Sequence, residues 1–519
     1  LRRRERRSSD GNGKPPARSD AGRRSVRPAA RQALAALSLV VFAGLPAGCS
    51  CNEDVTVAAG CRGRGDCEVI LPGLIGAYSS AAVANDGTVW VAGYLEANWD
   101  IEVNLGWGDL VAGRLEDNEV AWTVVDGVPA EPAVDPEVYD PAGFRGGQTE
   151  PGDDVGLWTS IAIDGGGKPG VAYYDATNRA LRYAHLDSGW SATVVQQPAD
   201  LGDIGRYAKL LYLDGRPVIA YLFIEPGAGG AIRSGVRVAT GSTAAAGEVQ
   251  WAFEEVAVNE ASPCRDHLCP NNTVCVAAEG LCAAEASDCG ADCASGEECV
   301  DLPGGAQCAA VLTSAKLDTY PDALGLYVSA ALQPDGAMGL AFYDRVAGNV
   351  VVARRGGEGW TTVIADGEQA GEDTGDKGIG TSLAIDGQGN YHVAYVDGLA
   401  EALGYVMVEG GSTPTTPELV DDGLGNPDGH HIVGDDPDIL VTQGGDIRIS
   451  YQDASSGQLR LAIGTPSSGQ HDWARQIIEQ EGFAGAFSQQ IEIGGAVQII
   501  NWWRVASPLP IGNVRVVSP

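Results

Sequence analysis

Gly156-Leu-Trp158-Thr-Ser160-Ile-Ala-Ile-Asp164-Gly-Gly-Gly-Lys-Pro169-Gly-Val-Ala-Tyr-Tyr-Asp175 carries the pattern that decides the fold. A glycine, one residue and an aromatic lead into a short apolar strand, Ser160 to Asp164, which turns on glycines and returns as Val171 to Asp175. Alternation continues through Leu181-Arg-Tyr-Ala184 and, past the tight turn Asp187-Ser-Gly189, through Trp190 to Val195, giving four strands in one unit. The opening motif returns at Gly76, Gly156, Gly205, Gly325, Gly378, Gly434 and Gly485, and the residue two places on is Tyr78, Trp158, Tyr207, Tyr327, Gly380, Asp436 and Phe487. The second strand recurs as Leu340-Ala-Phe-Tyr-Asp344, Val393-Ala-Tyr-Val-Asp397 and Ile449-Ser-Tyr-Gln-Asp453, and the fourth opens on Trp122, Trp190, Trp251, Trp360 and Trp473.

Four short strands repeated at a period of roughly 50 residues predict a β-propeller, because one such unit cannot bury both of its own faces and must stack on neighbours. The expected fold is all-β, a seven-bladed β-propeller with a small disulfide-rich inserted module. The five Trp then read as wedges between blades. The last unit lacks a strand before the chain reaches Pro519, and Glu68-Val-Ile-Leu71 is expected to supply it and close the ring. The resulting division is a leader over 1–48, a linker with a Cys pair over 49–67, blades one to three over 68–258, the Cys-rich module over 259–310 and blades four to seven over 311–519.

The phrase running from Ser160 to Trp190 resembles repeats of bacterial secreted propeller proteins, loosely similar to the sialidase-type, BNR-repeat propellers. The resemblance covers most of Val69 to Pro519. It implies architecture and leaves function open, since the same fold hosts enzymes, lectins and scaffolds.

Residues 1 to 31 hold eleven Lys and Arg against three acidic residues, and the apolar run from Ala33 to Gly48 is too short to span a bilayer. This reads as a secretory leader. It ends Leu45-Pro-Ala-Gly-Cys49, which resembles a lipoprotein lipobox displaced by one residue, so Cys49 is the expected lipidation site. The expected location is the outer membrane or cell surface, with membrane contact only through that lipid; a soluble periplasmic or secreted form is the alternative. Twelve cysteines fit an oxidising compartment. Eight of them, Cys264, Cys269, Cys275, Cys282, Cys289, Cys293, Cys299 and Cys308, form two units of four with similar spacing, expected as four bridges inside the module, and Cys61 is expected to pair with Cys67. The segment resembles EGF- or follistatin-like modules without the full EGF spacing. Cys61 to Cys67 also encloses Arg-Gly-Asp, which resembles integrin-binding tripeptides and arises easily by chance.

A formal net charge of −35 disfavours nucleic acid and anionic lipid as partners. Insertions at Glu96 to Asp109, Asp126 to Val155 and the Cys-rich module all fall on the face where second-to-third-strand and blade-to-blade loops lie, which marks the binding face. Tyr78, Trp158, Tyr207, Tyr327 and Phe487 are the candidate ligand-binding residues, near the channel mouth, where they could stack on sugars or pack between blades. Asp154, Asp203 and Asp376 precede their repeat glycines by two, and with His430 and His431 they form a candidate metal set, Ca²⁺ being the suited ion; the His loop reads equally as a solvated polar segment. Asp175, Asp344, Asp397 and Asp453 read as caps of their own turns.

The expected function is binding of a carbohydrate or protein ligand outside the cytoplasm by a monomer. The alternative is a sialidase-like glycoside hydrolase, for which the arginines on the face are Arg145, Arg179, Arg206 and Arg345. No nucleophile elbow, Walker loop or zinc-protease helix is present in the sequence.

Overall fold

The structure is a computed structural model. It describes residues 58–62, 66–70, 74–96, 108–129, 152–199, 202–227, 232–243, 249–261, 273–276, 281–290, 293–294, 297–312, 323–368, 375–442, 444–505 and 511–519. The chain divides into Leu1–Asn52 and Glu53–Pro519, and the first unit, with the leader and Cys49, lies outside the described residues. Within the second unit all regular structure among the described residues is β-strand.

The strands form successive antiparallel meanders that resemble propeller blades. Sheet one holds Leu74–Val83, Val89–Glu96, Gly108–Glu116 and Glu119–Asp126; sheet two Val155–Ile163, Pro169–Asp175, Ala180–Leu186 and Trp190–Gln196; sheet three Asp203–Leu213, Arg216–Pro226, Ile232–Thr243 and Val249–Ala261. Sheet four holds Leu324–Leu332, Met338–Asp344, Asn349–Gly356 and Gly359–Asp366, and sheet six Val433–Val441, Ile447–Asp453, Gln458–Ser467 and Gln470–Glu479. Sheet five begins Lys377–Ile385, Tyr391–Asp397 and Ala402–Glu409, and its outer strand is split into Thr413–Pro414 and Glu418–Asp421, both on the third strand. Sheet seven has three strands, Phe483–Ile493, Ala496–Val505 and Ile511–Val517.

The first strand of each sheet packs on the first strand of the next, and that of sheet seven packs on that of sheet one. The apolar residues follow this order. Leu110, Val171 and Tyr173 fill the space between sheets one and two; Leu181, Ile219 and Phe223 that between two and three; Leu459, Leu461, Ala484 and Ile499 that between six and seven. Ile491, Ile500 and Val514 of sheet seven pack on Val91 and Val111 of sheet one. Burying a side chain of this size contributes roughly 1.5–3 kcal/mol, so each sheet is stable only between its neighbours. The Trp that open fourth strands sit at these seams: Trp190 against Trp90, Trp251 against Tyr183, Trp473 against Tyr405.

Tyrosines in the second strands latch neighbouring sheets together. Tyr173 donates to Asp126 at 2.6 Å, Tyr221 to Gln196 at 2.5 Å and Tyr451 to Asp421 at 2.7 Å, with Tyr395 bonding Asp366 in the same way. Every acceptor is the last residue of the preceding sheet's outer strand, or of its second half in sheet five. The Asp at the ends of second strands cap their turns as the sequence suggests: Asp175 accepts from the Asn178 N–H, Asp344 from Val346, Asp397 from Leu399 and Asp453 from Ser456.

The closing strand differs from expectation. Asp66–Ile70 pairs with Ala58–Arg62 in a hairpin that sets Cys61 opposite Cys67, and not with sheet seven. The seam between sheets seven and one is instead held by side chains: Trp502 Nε1 donates to Ile75 O at 3.1 Å, Gln489 exchanges two hydrogen bonds with the Ala81 backbone at 2.7 and 3.1 Å, and Trp122 Nε1 reaches Asn513 at 3.2 Å.

The Cys-rich module is a small sheet of Thr273–Val276, Leu281–Ala284, Glu297–Leu302 and Gly305–Leu312, with bridges Cys289–Cys299 and Cys293–Cys308. Cys275 and Cys282 are also disulfide-bonded, while Cys264, Cys269 and Cys51 lie outside the described residues.

Candidate functional site

The repeat glycine is a point of contact between sheets. A Cβ on Gly156 would lie 2.8 Å from Leu110 Cα, and one on Gly205 would lie 2.7 Å from Leu181 Cα, so only glycine lets the first strand lie on the preceding sheet's third strand; both also have positive φ, 105° and 111°. Two residues on, the backbone turns left-handed again. Tyr78, Trp158, Tyr207, Tyr327, Asp436 and Phe487 all have φ between 44° and 55°, and Gly380 has 64°. Ladder registers slip on both sides of this residue, as between Val155 and Leu157 and again between Leu157 and Ser160, so a β-bulge swings each side chain out of its sheet. A non-glycine residue in this region costs on the order of 1–2 kcal/mol. The fold accepts that cost at six positions, all around one cavity.

That cavity, about 400 Å³, is lined by all seven first strands. A larger hollow of about 880 Å³ on the Cys-rich module, lined by Glu285, Asp288, Glu297 and Glu298, is an open surface depression. Five bulge residues make a continuous aromatic arc around the cavity lined by the first strands: Phe487 to Tyr78 at 4.7 Å between ring centres, Tyr78 to Trp158 at 5.5 Å, Trp158 to Tyr207 at 5.1 Å and Tyr207 to Tyr327 at 4.8 Å. Tyr207 is buried and the others are half-buried. Gly380 and Asp436 fill the remaining sector.

Two residues deeper, a second ring reads Ser80, Ser160, Lys209, Ser329, Ser382, Asp438 and Gln489. Six of these seven accept a hydrogen bond from the backbone N–H of the next sheet: Ser80 from Ile161 at 3.1 Å, Ser160 from Leu210 at 2.9 Å, Ser329 from Leu383 at 3.0 Å, Ser382 from Ile439 at 3.2 Å, Asp438 from Gln490 at 2.8 Å and Gln489 from Ala81 at 2.7 Å. Lys209 is the exception, since an ammonium has no lone pair to offer.

The exposed surface of Lys209, Asp436 and Asp438 faces the channel and not bulk water, so protein surrounds their charges. Burial lowers the Lys209 ammonium from its usual range, opposed by the attraction of Asp438 and Asp436. Burial likewise raises Asp436 to about 7, reinforced by Asp435, and raises Asp438 to about 7 against the hydrogen bond it accepts from Gln490. Around neutral pH the two carboxyls are therefore only partly ionised, and burial disfavours the charged form of all three groups.

The aromatic residues singled out in the sequence thus meet in one place. The proposed metal ligands do not. Asp154 accepts from Tyr94 at 2.8 Å and the Gly108 N–H at 3.0 Å, Asp203 is paired with Arg206 at 2.7 Å and Asp376 accepts from Tyr343 at 2.9 Å. His431 lies between Asp453 at 2.6 Å and Asp428 at 2.9 Å, and His430 lies 3.7 Å from Glu401. Asp154 and Asp376 serve separate seams between sheets, and Asp203 is paired within its own strand. Among the described residues the one tight cluster of metal-type donors is Cys289, Cys293 and Cys308, whose sulfurs are in disulfides. Of the arginines expected of the alternative enzyme, Arg179, Arg206 and Arg345 do not line the channel, Arg206 being held by Asp203 and the other two standing in turns; Arg145 lies outside the described residues.

Lys209 and Asp438 are the site residues that the repeat motif leaves out, because the motif extends only two places past each glycine and they stand four places past it. Aligning the repeats four places after each glycine would have exposed Lys209 and Asp438 among the serines.

No family model matches the chain, and no curated protein matches it. Among solved structures, a protein of unknown function from Dyadobacter fermentans is 14% identical, with 69% of this chain and 93% of that one covered, at a TM-score of 0.38. AofleA from Arthrobotrys oligospora is 11% identical over 79% of this chain and 88% of that one, at 0.36. A xylan β-1,4-xylosidase from Bacillus halodurans is 14% identical over 62% of this chain and 52% of its own, at 0.27. Likeness this distant carries no argument about activity.

Proposed function

We propose that this chain is an exported, lipid-anchored, seven-bladed β-propeller that binds carbohydrate at the aromatic-collared mouth of its axial channel. The observation that carries the proposal is the collar: five contiguous rings, each turned by left-handed backbone into one cavity. Aromatic faces next to a few polar groups suit the alternating C–H and hydroxyl surface of a sugar ring. Cyclic packing of seven sheets supports the blade number, and the basic leader and the disulfides support export, with Cys49 as the lipid attachment point.

Trp158→Gly tests the reading, because glycine relieves the φ of 48° while removing the ring, as Gly380 already does in sheet five. On a glycan array the wild type is expected to retain a subset of glycans and Trp158→Gly to lose at least about tenfold in affinity while staying folded. Equal retention by both proteins would overturn it.

One observation favours a second reading, glycoside hydrolysis: carboxyls raised to about 7 are suited to general acid catalysis. Release of nitrophenol from aryl glycosides, abolished by Asp438→Asn, would establish that reading, and no turnover would remove it.

A further inference from the structure

Resting on the carbohydrate reading, we infer that the channel takes a neutral sugar residue of a glycan, oriented by Lys209 and the Ala330 N–H on one wall and by Asp436 and Asp438 on the other. The inference begins at the gap in the hydrogen-bonded ring. Ala330 stands opposite Leu340 in the same register that Ile161 holds opposite Val171, so its N–H turns toward sheet three as the Ile161 N–H turns toward sheet one. Elsewhere that N–H meets an acceptor; at this place sheet three carries Lys209, whose side chain is a donor. Two donors therefore face the channel at the junction of sheets three and four, directly beneath Tyr207 and Tyr327.

Sheet six stands three places from sheet three in one direction around the ring and four in the other, so Asp436 and Asp438 face these donors across the axis. A ligand anion reaching the donors would meet the two carboxyls, and a ligand cation reaching the carboxyls would meet Lys209. Hydroxyls both accept and donate, so a neutral polyhydroxylated ring satisfies both walls without adding charge. A volume of about 400 Å³ is in the range that takes small ligands and leaves room for a sugar ring.

The position also separates binding from stability. Lys209→Ser would place at sheet three the residue that sheets one, two, four and five already carry, and would give the Ala330 N–H its acceptor. Melting temperature and calorimetric titration of wild type, Lys209→Ser and Trp158→Gly would be measured with three matched oligosaccharides ending in a neutral hexose, its uronic acid or its amino sugar. The wild type is expected to prefer the neutral end at least tenfold over both charged ends. Lys209→Ser is expected to melt higher than the wild type and to bind the neutral end at least tenfold more weakly. A preference for either charged end, or neutral binding unchanged in Lys209→Ser while Trp158→Gly abolishes it, would overturn this inference and leave the carbohydrate reading standing. No binding of any of the three would overturn both.

Discussion

Asp438 shows how a single residue links the channel to pH. Its carboxyl titrates near 7 in the fold because burial disfavours the charged form, against an ordinary value of 3.8 in the unfolded chain. Below about pH 4 both states hold the proton and stability does not depend on it. Between about 4 and 7 the unfolded chain has lost the proton while the folded one keeps it, so stability falls as pH rises through this window and stays lower above it. Asp438→Asn keeps an oxygen for the Gln490 N–H and removes the charge. Its melting temperature is expected to fall less than that of the wild type between pH 4 and 8 and to be higher at pH 8, by an amount on the order of 1 kcal/mol in stability. Equal slopes for the two proteins would contradict the assignment.

At the scale of elements, strands and turns were legible because alternation and Gly-rich turns are local signals, and the repeat multiplies each of them. Tyr78, Trp158, Tyr207, Tyr327 and Phe487 were placed at the channel mouth for the same reason. What stayed hidden depended on partners distant in sequence. Asp154 and Asp376 read as metal ligands until Tyr94 and Tyr343 of the preceding sheets were seen to hold them, and the strand near Glu68 read as the closing strand until its hairpin partner appeared. Disulfide connectivity belongs here too. In the second four-cysteine unit, Cys299 and Cys308 face each other across a hairpin yet bond to Cys289 and Cys293. Cys275 and Cys282 face each other in the same way, so the repeated spacing predicts Cys264–Cys275 and Cys269–Cys282. Peptide mapping under non-reducing conditions is expected to find these two; a Cys275–Cys282 bridge would contradict the parallel between the units.

At the scale of the molecule, the ring closes without an exchanged strand. Trp502, Gln489 and Asn513 bind sheet seven to sheet one, and Ile491, Ile500 and Val514 fill the seam, so the N-terminal hairpin adds no ladder to the closure. A protein starting at residue 71 is therefore expected to melt within about 2 °C of one starting at residue 49, whereas Gln489→Ala, which removes two hydrogen bonds at the seam, should lose about 1–3 kcal/mol. A large loss on trimming would restore the strand-exchange model.

The central claim is that the aromatic-collared channel, and not the hollow on the Cys-rich module or an outer strand, is where this protein meets its ligand. A crystal structure with the tightest-binding oligosaccharide tests it most directly. The account predicts electron density for one sugar ring inside the collar, with hydroxyl oxygens within about 3.2 Å of Lys209 Nζ and of a carboxyl on Asp436 or Asp438. Density for that sugar among Glu285, Asp288 and Glu297, with the channel holding only water, would contradict it.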